Sequence, residues 1–172
     1  MTYESEAAFR RALEDRLHNQ SLSSGVPLVR LRKMVAFERL VARLLADQPE
    51  RWVLKGGLAL ELRLGDRART TQDLDRLLRE AGSTTAIHQA LVQAALLDLR
   101  DGFRFEVAAP SGGPDLRFPV QSLLDGRAFE SFHLDIGMGD PLVEQPERLQ
   151  FPPLLEFAGI SPTAFPCYPV ST

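Results

Sequence analysis

Apolar positions recur with a helical period over the first fifty residues and with a strand period after them. Phe9, Ala12, Leu13 and Leu17 fall on one side of a helix that Ser5 can cap, with Arg10, Arg11, Glu14 and Arg16 outside; the pattern carries it to about Asn19. Ser21–Gly25 reads as a polar loop. Pro27 suits a first helical position, and Leu28, Leu31, Phe37, Leu40, Val41, Leu44 and Leu45 make an apolar stripe down to Asp47. Arg30, Arg32, Lys33, Arg39 and Arg43 are expected on its other face, either as a solvated surface or as a surface for nucleic acid.

From Trp52 the pattern shifts to short apolar runs broken by glycine. Trp52–Leu54 reads as a strand, Gly56-Gly57 as a tight turn, Leu58–Leu64 as a short helix and Leu74–Leu78 as a second strand, a βαβ-type start. Ser83 can cap a helix from about Thr84 to Leu97. Strands are expected at Phe103–Ala108, Phe118–Leu124 and Phe129–Ile136, the last two joined by an Asp125-Gly126 turn. After Asp140 seven prolines remove backbone donors and disfavour helix, so 141–172 reads as an extended crossing segment. The expected fold is α+β: a mixed sheet with helices packed on one face, preceded by N-terminal helices. Its expected parts are a helical layer over 1–50, a core over 51–140 and the proline-rich segment 141–172.

Composition narrows the class. At 172 residues with 44% hydrophobic and 25% charged positions, the chain matches a globular domain rather than a disordered or fibrous one. No stretch approaches the roughly 18 apolar residues of a membrane span, and no leader pattern opens the chain, so a cytoplasmic location is expected. A single cysteine and three histidines without CxxC or HExxH spacing argue against a disulfide scaffold or zinc site. The net charge of −3 hides an asymmetry, +4 up to Arg79 and −7 after it, which would let one surface face phosphate or nucleic acid.

Candidate chemistry lies in three places. Gly56-Gly57, between a strand and a helix start, would let backbone N–H groups approach a phosphate. Asp73 and Asp75, two apart on a strand, place two carboxylates on one face, a platform for Mg²⁺; the alternative is that they cap a turn and pair with arginine. Asp135 alternates with Phe132, Leu134 and Ile136, so it should leave the core face and supply a third carboxylate if its strand adjoins that of Asp73. Asp140 is a rival for that place, and His133 would share Asp135's face. Carboxylates, one or two Mg²⁺ and a phosphate-binding turn are the parts of nucleotidyl transfer.

The run Trp52-Val53-Leu54-Lys55-Gly56-Gly57-Leu58-Ala59-Leu60, followed by Arg69-Thr70-Thr71-Gln72-Asp73-Leu74-Asp75, resembles the AbiEii/AbiGii-type nucleotidyltransferase toxins, a branch of the DNA polymerase β-like nucleotidyltransferase superfamily. Phe132–Asp140 resembles the strand carrying that family's third acid, and the resemblance spans roughly residues 30–172. It implies that Gly56 and Gly57 hold the triphosphate of an NTP, that Asp73, Asp75 and Asp135 are catalytic and bind Mg²⁺, and that Lys55, Arg69 and Thr71 support the nucleotide. It further implies a toxin paired with an antitoxin protein or its promoter-bound form, with tRNA among the acceptors of the NMP. Family members continue past a segment like Tyr168-Pro169-Val170 into a lysine-bearing helical half, so a C-terminal half is expected to lie beyond Thr172. Two other readings stay open: a nucleotide- or partner-binding module without turnover, and a small-molecule nucleotidyltransferase of the antibiotic-modifying type.

Overall fold

The computed structural model describes residues 3–54, 73–78, 83–110, 116–137 and 147–167, with the backbone alone for 73–78, 137 and 147. The expected Gly56-Gly57 turn and the helix at Leu58–Leu64 lie outside these residues, as does Asp140.

Three helices are described: α1 (Glu6–Ser24), α2 (Leu28–Asp47) and α3 (Thr84–Ala95). Ser5 and Ser83 cap α1 and α3, each hydroxyl accepting the backbone N–H three residues on at 3.1 Å. α1 runs five residues past the expected end at Asn19. Its Ser24 hydroxyl bonds back to the Gln20 carbonyl at 2.6 Å, and the helix stops only where Gly25 takes a left-handed conformation and donates its N–H to Ser21.

Among the described residues seven strands form one mixed sheet: β1 (Trp52–Leu54), β2 (Asp73–Leu78), β3 (Phe103–Val107), β4 (Leu116–Leu124), β5 (Arg127–Gly137), β6 (Glu147–Gln150) and β7 (Ala164–Cys167), in the order β3-β4-β5-β2-β1-β7-β6. The fold class is the α+β arrangement expected. Its start is not a βαβ unit, however: β1 and β2 pair antiparallel, Trp52 opposite Leu78, and the parallel neighbour of β2 is β5. The proline-rich segment also yields strands. Glu147–Gln150 and Ala164–Cys167 pair antiparallel, and β7, which contains Pro166, lies parallel to β1, so the prolines do not abolish strand pairing here.

One side of the sheet carries the core. Phe118, Val120, Phe132, Leu134 and Ile136 are buried there with Phe9, Phe37, Leu40, Leu44, Ile87 and Leu91 of the helices. Phe37 meets Phe132 edge-on at 4.5 Å, and His88 stacks on Phe118 at 5.7 Å while its Nε2 lies 3.1 Å from the Val107 carbonyl. Arg10 of α1 binds the β4–β5 hairpin, donating to the carbonyls of Leu124, Arg127 and Ala128.

The expected basic face of α2 is corrected by the structure. Arg39 and Arg43 are buried at 5% and 0% exposure, because their guanidinium groups meet an internal acid, Asp101. Arg43 spends its donors on both Asp101 oxygens at 2.8 and 2.9 Å and on the carbonyls of Arg39, Leu97 and Phe103. Arg39 binds Glu38 at 2.8 Å, Asp101 at 3.2 Å and the Thr163 hydroxyl. Arg32 is held over Phe129 and near Glu14 and Glu130. The helix therefore offers no row of five cations to a nucleic acid. Its charge ties α2 to the sheet and to the segment before β7.

Candidate active site

Asp135 is placed by a hairpin and a bulge. The turn between β4 and β5 has positive φ at both central residues, 58° at Asp125 and 68° at Gly126, a two-residue turn of the kind that matches strand twist. It pairs Leu124 with Arg127 and Leu123 with Ala128. Continued without interruption, that register would set Asp135 opposite Leu116. Between Ser122 and Leu123 the register shifts by one residue, so Ser122 pairs with Glu130, Phe118 with Leu134, and Arg117 with Asp135. The shift returns Phe132, Leu134 and Ile136 to the core side and sends His133 and Asp135 to the other.

That other side is where the acidic positions assemble. β2 runs parallel to β5 with Asp73 beside His133 and Asp75 beside Asp135. Arg117, Asp135 and Asp75 thus stand in consecutive positions of one row across β4, β5 and β2, and Pro119, His133 and Asp73 form the next row. Neighbouring strands lie about 4.8 Å apart, so carboxylates at adjacent positions are within reach of one ion. The side chains of Asp73 and Asp75 lie outside the described residues, as do Lys55, Gly56, Gly57, Arg69 and Thr71. Among the described side chains no group of three potential metal ligands comes together.

The described acid has a cation on it already. Arg117 donates Nε to Asp135 Oδ1 at 2.8 Å and Nη2 to Oδ2 at 3.1 Å, a forked pair at an open surface where the side chains are 47% and 25% exposed. A half-open carboxylate is one hard oxygen ligand of the type Mg²⁺ takes from protein; the Asp73 and Asp75 side chains that would complete the set lie outside the described residues. Arg117 was not among the residues singled out from the sequence. The signal was present in part, since Arg117 is the cation between apolar Leu116 and Phe118 on an alternating strand. Its pairing with Asp135 needs the bulge, which nothing in the turn sequence announces.

Away from this face the polar groups serve the fold. Burial pushes Asp101 up, but the hydrogen bonds and charge of Arg43, with the charge of Arg39, outweigh it and hold the carboxyl below its usual range. Burial prevails at Glu38, whose carboxyl is raised despite Arg39, and at Glu130, raised despite Arg32 and Lys33. An apolar crevice lined by Val41, Leu44, Trp52, Leu54 and Phe165 lies between α2 and the sheet, on the helix side and apart from the acidic row.

A family model described as nucleotidyl transferase AbiEii toxin, type IV toxin–antitoxin system, matches residues 39–172. The chain belongs to this family. The match takes in every described strand, Gly56 and Gly57, and Asp73, Asp75 and Asp135. Among curated proteins no match is found. Membership makes this AbiEii-family chain a nucleotidyltransferase-type toxin domain of a type IV toxin–antitoxin system, a class with an antitoxin partner, an NTP substrate and, in general, a divalent metal. Among the described residues no helix is long and apolar enough to cross a membrane.

Proposed function

We propose that this AbiEii-family chain carries the catalytic core of a Mg²⁺-dependent enzyme that transfers an NMP from an NTP to an acceptor hydroxyl, with tRNA as the acceptor. Asp73, Asp75 and Asp135 bind one or two metal ions, Gly56 and Gly57 take the triphosphate on their backbone N–H groups, and Lys55, Arg69 and Thr71 steady it. The bound metal supplies charge neutralisation on the phosphates and activation of the attacking oxygen. The observation that carries this reading is the register of β2 against β5, which brings Asp75 beside Asp135 and Asp73 beside His133 on a sheet whose opposite side is filled by the helices. Adjacent like charges repel unless a cation joins them; Arg117 meets that need at Asp135 in this structure, and in this reading a divalent ion meets it across Asp135 and Asp75. Within this reading the helical layer of 1–50 supports the core of 51–140, the proline-rich segment 141–172 follows that core, and the protein works in the cytoplasm.

Incubation with Mg²⁺, each labelled NTP and bulk tRNA tests the reading. Labelled RNA is expected with at least one nucleotide. Asp75→Asn and Asp135→Asn are each expected to lower transfer about a hundredfold or more, the scale of losing several kcal/mol of metal-borne stabilisation. Label appearing on a small aminoglycoside-like acceptor alone would move the assignment to the antibiotic-modifying class. Nucleotide-dependent thermal stabilisation with no transfer would leave a binding module.

A further inference from the structure

The forked Arg117–Asp135 pair has a consequence for how the site loads. The guanidinium uses Oδ1 and Oδ2 of Asp135 together, so a divalent ion at either oxygen would meet a positive charge already in contact with the carboxylate and be repelled by it. The two residues pair directly across β4 and β5, and Asp75 holds the next position of the row on the far side of Asp135. The pair is open to water, with side chains 47% and 25% exposed, so its attraction is screened.

We propose that Arg117 is a positioning residue that stands in for the metal ion. It holds the Asp135 carboxylate while no divalent cation is bound and yields it when one arrives, so it lowers the affinity for free metal. The released guanidinium, one strand from Asp135 and shaped for bidentate contact with phosphate oxygens, is then taken up by the triphosphate. Metal and nucleotide thereby bind better together than either does alone. This inference rests on the proposed role of Asp135 as a metal ligand.

Binding of Mn²⁺ to the full chain, followed by the electron paramagnetic resonance signal of the free ion, tests it without any turnover. Arg117→Gln is expected to bind Mn²⁺ alone about two- to fivefold more tightly than the parent, the scale of removing one competing exposed charge pair. Arg117→Lys, which keeps the charge and loses the fork, is expected to fall between them. Addition of a non-hydrolysable NTP analogue is expected to tighten Mn²⁺ binding more in the parent than in Arg117→Gln. In an Asp135→Asn background the Gln substitution is expected to tighten Mn²⁺ binding by a smaller factor than it does in the parent. Unchanged or weaker Mn²⁺ binding by Arg117→Gln, while Asp135→Asn weakens it, overturns the stand-in role and leaves the metal site intact. Mn²⁺ binding indifferent to Asp135→Asn overturns the metal site and this inference with it. Circular dichroism of each variant confirms that a change in binding is not a loss of fold.

Discussion

At the scale of single residues, charge in this molecule is divided between structure and chemistry in a way that residue type alone does not reveal. Arg39 and Arg43 resemble Arg117 in the sequence, yet the first two are internal cross-links and the third stands over an open carboxylate. The internal group has two acids with opposite pH behaviour. Asp101, lowered by Arg43 and Arg39, contributes stability that is present above the ordinary carboxylate range and lost as the solution is acidified through its folded value. Glu38, raised from 4.5 chiefly by burial, contributes stability that is present below that value and lost as the pH rises through its higher folded value. Replacement Glu38→Gln keeps the shape and removes the buried charge, so the variant is expected to gain on the parent as the pH is raised from about 4 to 8. Urea unfolding across that range reads the difference. A gap that does not change with pH would mean that Glu38 titrates in the folded protein as it does in the unfolded chain.

At the scale of elements, the periodic segments were legible and the register was not. α2, α3, β1 and the β4–β5 hairpin fall where spacing and caps put them, because each carries its own apolar stripe, its serine or proline start, or its Asp-Gly turn. The end of α1 differs because a run of serines reads as loop, whereas the Ser23 and Ser24 hydroxyls bond back to the Gln20 carbonyl and Gly25 supplies the stop. The antiparallel pairing of β1 with β2 and the strands among the prolines depend on contacts between distant segments, to which local pattern is blind. The same holds for the site: Asp135's face could be read from alternation, but its neighbours Arg117 and Asp75 required the bulge and the β2–β5 register. The hairpin turn therefore deserves a direct test. Gly126 has φ of 68° and open space around the position of a Cβ, so Gly126→Ala meets no clash and its cost is conformational alone. A loss of about 1–2 kcal/mol is expected in chemical denaturation. A cost near zero would show that the turn tolerates a side chain at its second position and that the strands, not the turn, hold the register.

At the scale of the molecule, the sheet separates stability from chemistry by face. Helices α1, α2 and α3 bury one side, and Asp135, His133 and Arg117 stand on the other, so adjacent residues of β5 serve different ends. Phe132 lies next to His133 and three residues from Asp135, but its ring faces Phe37 at 4.5 Å and is 4% exposed. Truncation to alanine there opens a cavity under the sheet and is expected to cost about 3–5 kcal/mol. Because the cavity lies on the far side of the backbone, the folded fraction of Phe132→Ala is expected to keep the Mn²⁺ affinity of the parent within about twofold, well under the tenfold that 1.4 kcal/mol represents. Asp135→Asn should do the reverse, leaving the unfolding midpoint within about 1 kcal/mol of the parent, since it removes only one exposed ion pair, while weakening the metal. Unfolding midpoints and Mn²⁺ titrations on the same two proteins decide the matter. Were both variants to lose metal binding in step with stability, the acidic row would depend on the whole sheet holding its curvature and not on the donors at its surface.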